Sequence, residues 1–483
     1  MSHSIGENVS TVLPFIDGNY RKPPGGRTNI LINPTTENQL AEVTEAGASE
    51  TAAAIESAFT AWKDRWGNLP GDRRAAMLHE IARSIRARAT ELATLETLNI
   101  GKPISNATKD IEAGARLFEY YAGAIDKFCG QTITVPGGGL DFTIHEPFGV
   151  VVCIVPWSAP FLVACRKIAP ALAAGNTVVL KPSGLSPLTA LKLGELAFAA
   201  GLPSGALQVV VGTGSFLGDV LVTHPLVRKV SFTGSTEVGR RIMQMAAGDL
   251  KRISLEVRGK SLNIVFGDSD WKCVAETSAL HAFANAGQDP YAYSKVFVER
   301  KIFEMFLEQF VESTKRLIVG DPTDQATDVG PLVSGRRREL VEEFLDDARA
   351  HGSRFVCGGA RPFARGFFLA PTVLTGVGHG DRCWREEIFG PVLSITPFDD
   401  ESSLISDVND ARHGMSAAIW TNDLRRAFRI ARAIKRELVS VNAHPKIRPE
   451  ITFGGFNRNC SGQYLAMTAL STFSEVKNVY VAE

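Results

Sequence analysis

The chain is poor in the features that would place it in a membrane, a disulfide scaffold or a metal centre. Its 7 cysteines stand singly at 129, 153, 165, 273, 357, 383 and 460. With no CxxC pair, neither a zinc site nor a disulfide framework is expected, and the pattern fits a reducing compartment. The 9 histidines are equally dispersed, without HExxH or any other metal spacing, so no metal is expected. Neither sign of charge is in excess, with 52 Lys plus Arg against 52 Asp plus Glu, which argues against nucleic acid or an acidic membrane as partner. No apolar run approaches a membrane span; VVCIV at 151–155 is only strand-sized. The opening MSHSIGENVS has no apolar segment of the kind a signal peptide carries, so a cytoplasmic protein is expected. Tandem repeats and low-complexity stretches are missing too.

What the chain does have is length and an ordinary apolar share, 483 residues at 45% hydrophobic, enough for two or three domains with real cores. In SETAAAIESAFTAWKDRW, Ile55, Phe59, Trp62 and Trp66 recur at helical spacing and form one apolar face. After Leu-Pro-Gly-Asp, Ala76, Met77, Ile81, Ile85, Leu92 and Leu95 repeat similarly, and NIGKP at 99–103 predicts the stop. GQTITVPGGGLDFTIHEP reads as an extended hairpin turning at 136–139. An isolated two-stranded ribbon is marginal in water, so it should pack on something, another subunit being one choice.

From 148 onward strands and helices alternate: FGVVVCIVPW, TVVLKPS, a helix over Ser186–Ala200, LQVVVGTG, then KVSFTGS. A second such stretch from about 261 to 440 carries SLNIVF, VFVER, GPVLSI and SAAIW. Strand–helix alternation with β-branched runs predicts α/β domains built on parallel sheets. Glycine turns after strands, at Gly212-Thr-Gly214 and Thr233-Gly234-Ser235, suit a nucleotide phosphate at a helix N-terminus, although any tight strand-to-helix turn also needs glycine. Lys181 ends a buried strand, where α/β sheets present ligand-binding groups.

The ordered set VPWSAP (155–160), KIAPALAAGNTVVLKPS (167–183), VSFTGSTEVG (230–239), SLEVRGKS (254–261), NAGQ (285–288) and EEIFGPV (386–392), followed by FGGF and SEVK, resembles the aldehyde dehydrogenase superfamily over nearly the whole chain. The resemblance implies a discontinuous Rossmann-like NAD(P)-binding domain (1–126 and 148–256), a catalytic α/β domain (257–457), and an oligomerisation ribbon with tail (127–147 and 458–483). It also implies a homodimer or homotetramer, with NAD or NADP as cofactor. Lys181, Ser183, Gly214, Gly234, Ser235, Glu387 and Phe389 match the cofactor-binding positions. Gly184 stands where the family usually has an acidic ribose-hydroxyl acceptor, which leaves room for a 2′-phosphate.

In that family a cysteine attacks the aldehyde carbonyl, and the tetrahedral adduct sheds hydride to the nicotinamide. An asparagine amide and the cysteine's backbone N–H hold the oxyanion, and a glutamate activates water. Glu256 matches the glutamate, Ser158 falls on the asparagine, and Pro290 falls on the cysteine. Proline has neither thiol nor backbone N–H, and one lost oxyanion donor costs roughly 2.7–4 kcal/mol of transition-state stabilisation. Thiol-dependent aldehyde oxidation is therefore expected to be lost. Cys165 and Cys460 are the cysteines weighed as substitutes, against the ordinary role of a free cysteine as a small buried hydrophobe. Arg258 replaces a glycine that lets backbone approach the nicotinamide end. Arg166, Arg258, Asp289, Tyr291, His444, Lys446 and Arg448 are expected to line a rebuilt pocket for a polar or anionic small molecule. Alternatively, these charges pair with Asp289 and Glu256 or face solvent.

Three functional readings follow. The first is non-covalent oxidoreductase chemistry with Glu256 as base, on a substrate whose reacting carbon is already tetrahedral. The second is a catalytically dead homologue acting as a ligand-binding, structural or regulatory subunit, and the third is a weak conventional dehydrogenase.

Overall fold

A computed structural model of the chain describes residues 10–257, 259–410, 414–454 and 460–482. One sheet has eight strands in the order Cys460–Ser461, Arg252–Val257, Val227–Gly234, Val150–Ile154, Thr177–Lys181, Leu207–Val209, Phe15–Ile16 and Asn19–Tyr20. From Arg252–Val257 through Leu207–Val209 the pairing is parallel. Its strands are apolar on both faces, as the buried β-branched runs require. Val151, Cys153, Val178 and Leu180 pack into a core with Phe161, Ile168 and Leu191, while Val150, Val152 and Val179 turn to a second core with Ile55, Leu217 and Ile242. That alternation is the period-two geometry of a strand covered on each side by helices.

The second sheet has seven strands, in the order Arg354–Cys357, Thr372–Thr375, Val392–Phe398, Tyr293–Glu299, Lys260–Val265, Gly414–Trp420 and Leu438–Val441. All of its pairings are parallel except that of the first strand. It has a core of its own around Phe297, Phe306, Phe310 and Trp384. The hairpin turn is built by Gly137, Gly138 and Gly139, all at positive φ. Its long strand, Leu140–Pro147, pairs antiparallel with Ser474–Val481 from Pro147↔Ser474 to Leu140↔Val481. The ribbon thus packs within this chain on the C-terminal strand, leaving Val476, Tyr480 and Val481 exposed.

Two helical expectations need refinement. The run from Ala76 to Leu95 is broken at Arg88 (φ −115°, ψ 19°), giving helices Gly71–Ala87 and Ala89–Ile100. The apolar repeat carries across the break because Leu78, Ile81, Ile85 and Leu92 all face one core. The second helix ends as expected, on Gly101 in the left-handed region at φ 77°. The helix Ala48–Ala61 continues into a wider turn over Trp62–Trp66, which rotates Trp66 into full burial.

Candidate functional site

A cavity of about 1120 Å³ runs between the two sheets. At one end it is walled by Lys181, Ser183, Gly184, Gly214, Gly234 and Ser235, the C-terminal ends of parallel strands and the helix starts that follow them. At the other it is walled by Arg166, Glu256, Asp289, Pro290 and Tyr291, with Trp157, Glu387 and Phe389 between.

The dinucleotide-type end fits a nicotinamide dinucleotide. Lys181 is almost wholly buried, yet among the described residues its ammonium hydrogen-bonds only the Pro182 carbonyl, at 3.1 Å. Burial pushes its pKa down to about 8, opposed by the charge of Glu45. A buried ammonium with spare donors on a cavity wall suits the hydroxyls or phosphate of a nucleotide. Ser235 caps the helix Thr236–Ala246, its hydroxyl accepting from the Val238 amide, and Gly214 opens the helix Gly214–Thr223. Phe389 stands at φ 54°, its ring edge-on to Trp157 at 5.3 Å and its carbonyl receiving the Arg337 Nε–H at 3.0 Å. Gly184 leaves open space where a side chain would project, so the cradle offers no acidic acceptor there.

At the other end the chain bends sharply. Asn285, Ala286 and Gly287 all adopt left-handed φ values of 50°, 55° and 67°. Gly287 is required: a Cβ there would sit 2.1 Å from the Gly390 carbonyl oxygen. The bend is stitched from within. The Asn285 amide donates to the carbonyls of Ser158 and Gln288, each at 3.0 Å, Gln288 donates back to the Asn285 carbonyl, and its oxygen accepts the Val333 amide at 2.9 Å. The tip carries Asp289, Pro290 and Tyr291, with the Pro290 carbonyl taking the Ser261 hydroxyl at 2.8 Å. No cis peptide bond occurs among the described residues, so the bond before Pro290 is trans.

Glu256 enters the cavity already engaged. The Arg166 guanidinium donates to both of its oxygens at 2.7 and 2.8 Å, and the Thr233 hydroxyl adds a bond of 2.7 Å. Thr233 reaches it because the two residues are register partners on adjacent parallel strands. Arg166, on the helix Pro160–Ala173, lies with its guanidinium 5.9 Å from the Phe453 ring centre. Burial disfavours its charge, but Glu256 and Tyr291 more than restore it, so its pKa is raised. The pairing of Arg166 with Glu256 is therefore the arrangement found, and the expectation of a free carboxylate base at 256 is corrected. Ser158 is buried in the cavity wall, and its hydroxyl makes no protein hydrogen bond among the described residues.

Of the expected basic cluster, Arg166 and Arg448 line the cavity, Arg448 from an exposed position at its mouth. His444 and Lys446 do not. His444 turns away to the Tyr293 hydroxyl at 2.8 Å and stacks on His281, with ring centres 4.8 Å apart, while Lys446 faces solvent. Arg258 lies outside the described residues. With Arg166 neutralised, the free anion site expected of this cluster does not form among the described residues. Cys165 packs against Gly114 and Phe161, away from the cavity, and burial raises its thiol pKa well above the ordinary value. It is not poised as a nucleophile. Cys460 lies on a strand whose side chains fall outside the description.

The sequence pattern gave no warning of several groups. Lys102 bridges Glu96, at 3.0 Å, and Asp110 beside Asp289 on the cavity wall. His281 lines the wall and contacts the Tyr291 carbonyl at 3.1 Å. Glu437 has both carboxylate oxygens buried without a hydrogen bond among the described residues, and burial with the nearby charge of Glu256 pushes it up to about 8. The i, i+8 spacing of Lys102 and Asp110 across a Gly-Lys-Pro break was the one available signal.

The comparisons agree with this geometry. The model of the aldehyde dehydrogenase family matches residues 20–479. Betaine aldehyde dehydrogenase 1 of Oryza sativa subsp. japonica is 39% identical over 475 residues, covering 96% of this chain and 94% of that protein. Human retinal dehydrogenase 2 is 38% identical over 472 residues, with 97% and 91% covered. Among solved structures, the NAD+ complex of a Bacillus cereus aldehyde dehydrogenase superposes with a TM-score of 0.96 at 35% identity, covering 98% and 97% of the two chains. An Escherichia coli NADP-dependent enzyme gives 0.96 at 34% identity, with 98% of each chain covered. On fold, cavity and full-length match alike, the chain belongs to the aldehyde dehydrogenase family.

Proposed function

We propose that this family member is an NAD(P)-linked oxidoreductase that works without a covalent thiol adduct, on a substrate whose reacting carbon already carries a hydroxyl: a hydrate, lactol or hemiaminal. The observation that carries this reading is the cavity itself. It joins a cradle suited to a dinucleotide to a polar end with ionisable groups, yet no cysteine side chain among the described residues lines it. A carbon that is already tetrahedral needs no thiol before it can give up hydride, so the loss of the nucleophile at Pro290 is compatible with turnover. Lys181, Ser183, Gly214, Gly234, Ser235, Glu387 and Phe389 would hold NAD or NADP, which supplies the hydride acceptor when bound.

A second reading is favoured by one specific observation. Both Glu256 oxygens are spent on Arg166 and Thr233, as they would be in a ligand-binding or regulatory subunit without catalysis. Titration of the full-length protein with NAD+, NADP+ and their reduced forms, alongside intact-mass measurement after incubation with aldehydes, separates the two. The expected result is dinucleotide binding with no acyl-enzyme mass. No binding at millimolar dinucleotide defeats the oxidoreductase reading, and an acyl adduct defeats the non-covalent one.

A further inference from the structure

Resting on the hydride reading above, we propose that Asp289 is the proton-accepting group of this cavity and that Glu256 is an electrostatic fixture. The two carboxylates differ in how their oxygens are used. Glu256 gives both to Arg166 and one also to Thr233, so taking a proton there means breaking a buried ion pair. Asp289 stands one residue before Pro290 at the tip of the bend. Its Oδ1 accepts the Tyr291 amide at 2.7 Å, while its Oδ2 has no hydrogen-bond partner among the described residues. The residue lines the main cavity and also a small recess that opens beside it, walled in part by Glu387 and Phe389. Oδ2 is thus the one oxygen of this carboxylate left for a ligand in the chamber.

The charges around Asp289 keep it able to exchange a proton. From the helices Ala89–Ile100 and Ile104–Ala122 and the turn between them come Glu96, Lys102 and Asp110, but the Lys102 ammonium is held by Glu96 and Asp110. Arg166 faces it from the helix Pro160–Ala173 already bound to Glu256, and His281 lines the wall from the helix Trp271–Phe283. Glu387 adds a carboxylate at the recess. Burial raises the Asp289 pKa and Asp110 adds to this, against the Tyr291 amide, Lys102 and Arg166. A carboxyl moved up from its usual range suits a general base.

The step balances as follows. The substrate O–H proton passes to Asp289 Oδ2, and the C–H hydrogen leaves with its electron pair to an oxidised nicotinamide dinucleotide. A C=O bond then forms on the substrate carbon, which is oxidised by two electrons as the dinucleotide is reduced.

The test compares full-length wild type with Asp289→Asn, Asp289→Glu and Glu256→Gln. Asparagine keeps an acceptor for the Tyr291 amide, so the bend is preserved. Proton release on saturation with NAD+ or NADP+ is followed in weakly buffered solution with a pH indicator, between about pH 5 and 8, because the positive charge of a bound oxidised nicotinamide would favour the ionised form of Asp289. Release is expected in wild type and Glu256→Gln, absent in Asp289→Asn, and present at a shifted pH in Asp289→Glu. In parallel, trifluoroacetaldehyde hydrate is offered with each dinucleotide and reduced cofactor is measured. Asp289→Asn should lose about 100-fold or more, with the one-proton rise of rate with pH abolished, and Glu256→Gln should lose less than about 10-fold. Proton release that persists in Asp289→Asn overturns the assignment, as does a loss of rate confined to Glu256→Gln. Release that depends on Asp289 without any dinucleotide reduction overturns the hydride reading instead and leaves Asp289 as the exchanging carboxylate.

Discussion

Replacing Arg166 with methionine strips Glu256 of its counter-ion inside a site where the two side chains are 7% and 3% exposed. The bonds lost are the two to the carboxylate at 2.7 and 2.8 Å, and only the Thr233 hydroxyl remains. Breaking one partner of a buried pair costs about 3–5 kcal/mol, because a carboxylate is left desolvated and uncompensated. Glu256→Gln should cost a comparable amount, since it leaves the buried Arg166 guanidinium without its counter-ion even though the amide oxygen keeps the Thr233 bond. Combining Arg166→Met with Glu256→Gln removes both charges and should fall within about 1 kcal/mol of wild type, because the charged pair had itself to be desolvated. The double-mutant cycle therefore predicts a coupling of about 2 kcal/mol or more. Urea unfolding followed by fluorescence at one fixed protein concentration measures it, the fixed concentration holding any assembly contribution constant. If Arg166→Met alone costs under about 1 kcal/mol and the two changes add, Glu256 is not held by Arg166.

Further predictions concern buried cations, pH, the cofactor and position 290. Lys295 lies 3.6 Å from the centre of the Trp384 ring, and burial together with the charges of Lys260 and Arg436 pushes it down to about 6. Lys295→Met should stabilise the fold by about 2 kcal/mol at neutral pH, a gain that shrinks toward pH 10, where the unfolded lysine also sheds its proton. No gain in the urea midpoint would defeat that account. His281 and His444 are both pushed down to about 4, so each binds fewer protons folded than unfolded between about pH 4 and 6.5. Their contribution is complete above that window and is lost as pH falls through it; the loss should vanish in His281→Phe/His444→Phe. Lys181→Ala should weaken dinucleotide binding about 10-fold by calorimetry, a loss of about 1.4 kcal/mol, and unchanged affinity would remove Lys181 from the cradle. Pro290→Cys combined with Ser158→Asn and Arg258→Gly should give acyl-enzyme mass with simple aldehydes and NAD+ or NADP+, whereas Pro290→Cys alone should not, because the side chain at 158 would still lack the amide that holds the oxyanion.

The sheets were legible because each strand is a compact β-branched run and its helices repeat at 3.6 residues, so Val150–Ile154 and Thr177–Lys181 announce burial on both faces. The break at Arg88 was not legible, since the apolar face continues through it and neither Gly nor Pro marks it. At the site, the candidate residues could be named in order, but their pairings could not. Arg166 and Glu256 are 90 positions apart and meet only through the fold. Likewise, the loop NAHPKIRPE offered two cations and a histidine, and no way to tell that His444 would turn inward to Tyr293 and Lys446 outward.

The bend at Asn285–Gly287 has one more consequence. Its shape is secured by the Asn285 amide, Gln288, Val333 and the space beside Gly390, and the side chains of Pro290 and Tyr291 take no part in those bonds. Scaffold and chemistry are thereby largely separated in this loop: the bonds at Asn285 and Gln288 set its curve, and Asp289 alone both braces the tip, through the Tyr291 amide, and offers an oxygen to the cavity. A reactive group at the tip can be exchanged without refolding the chain beneath it. The loop behaves as a socket, and the history of activity in such a protein can run ahead of any change in its architecture.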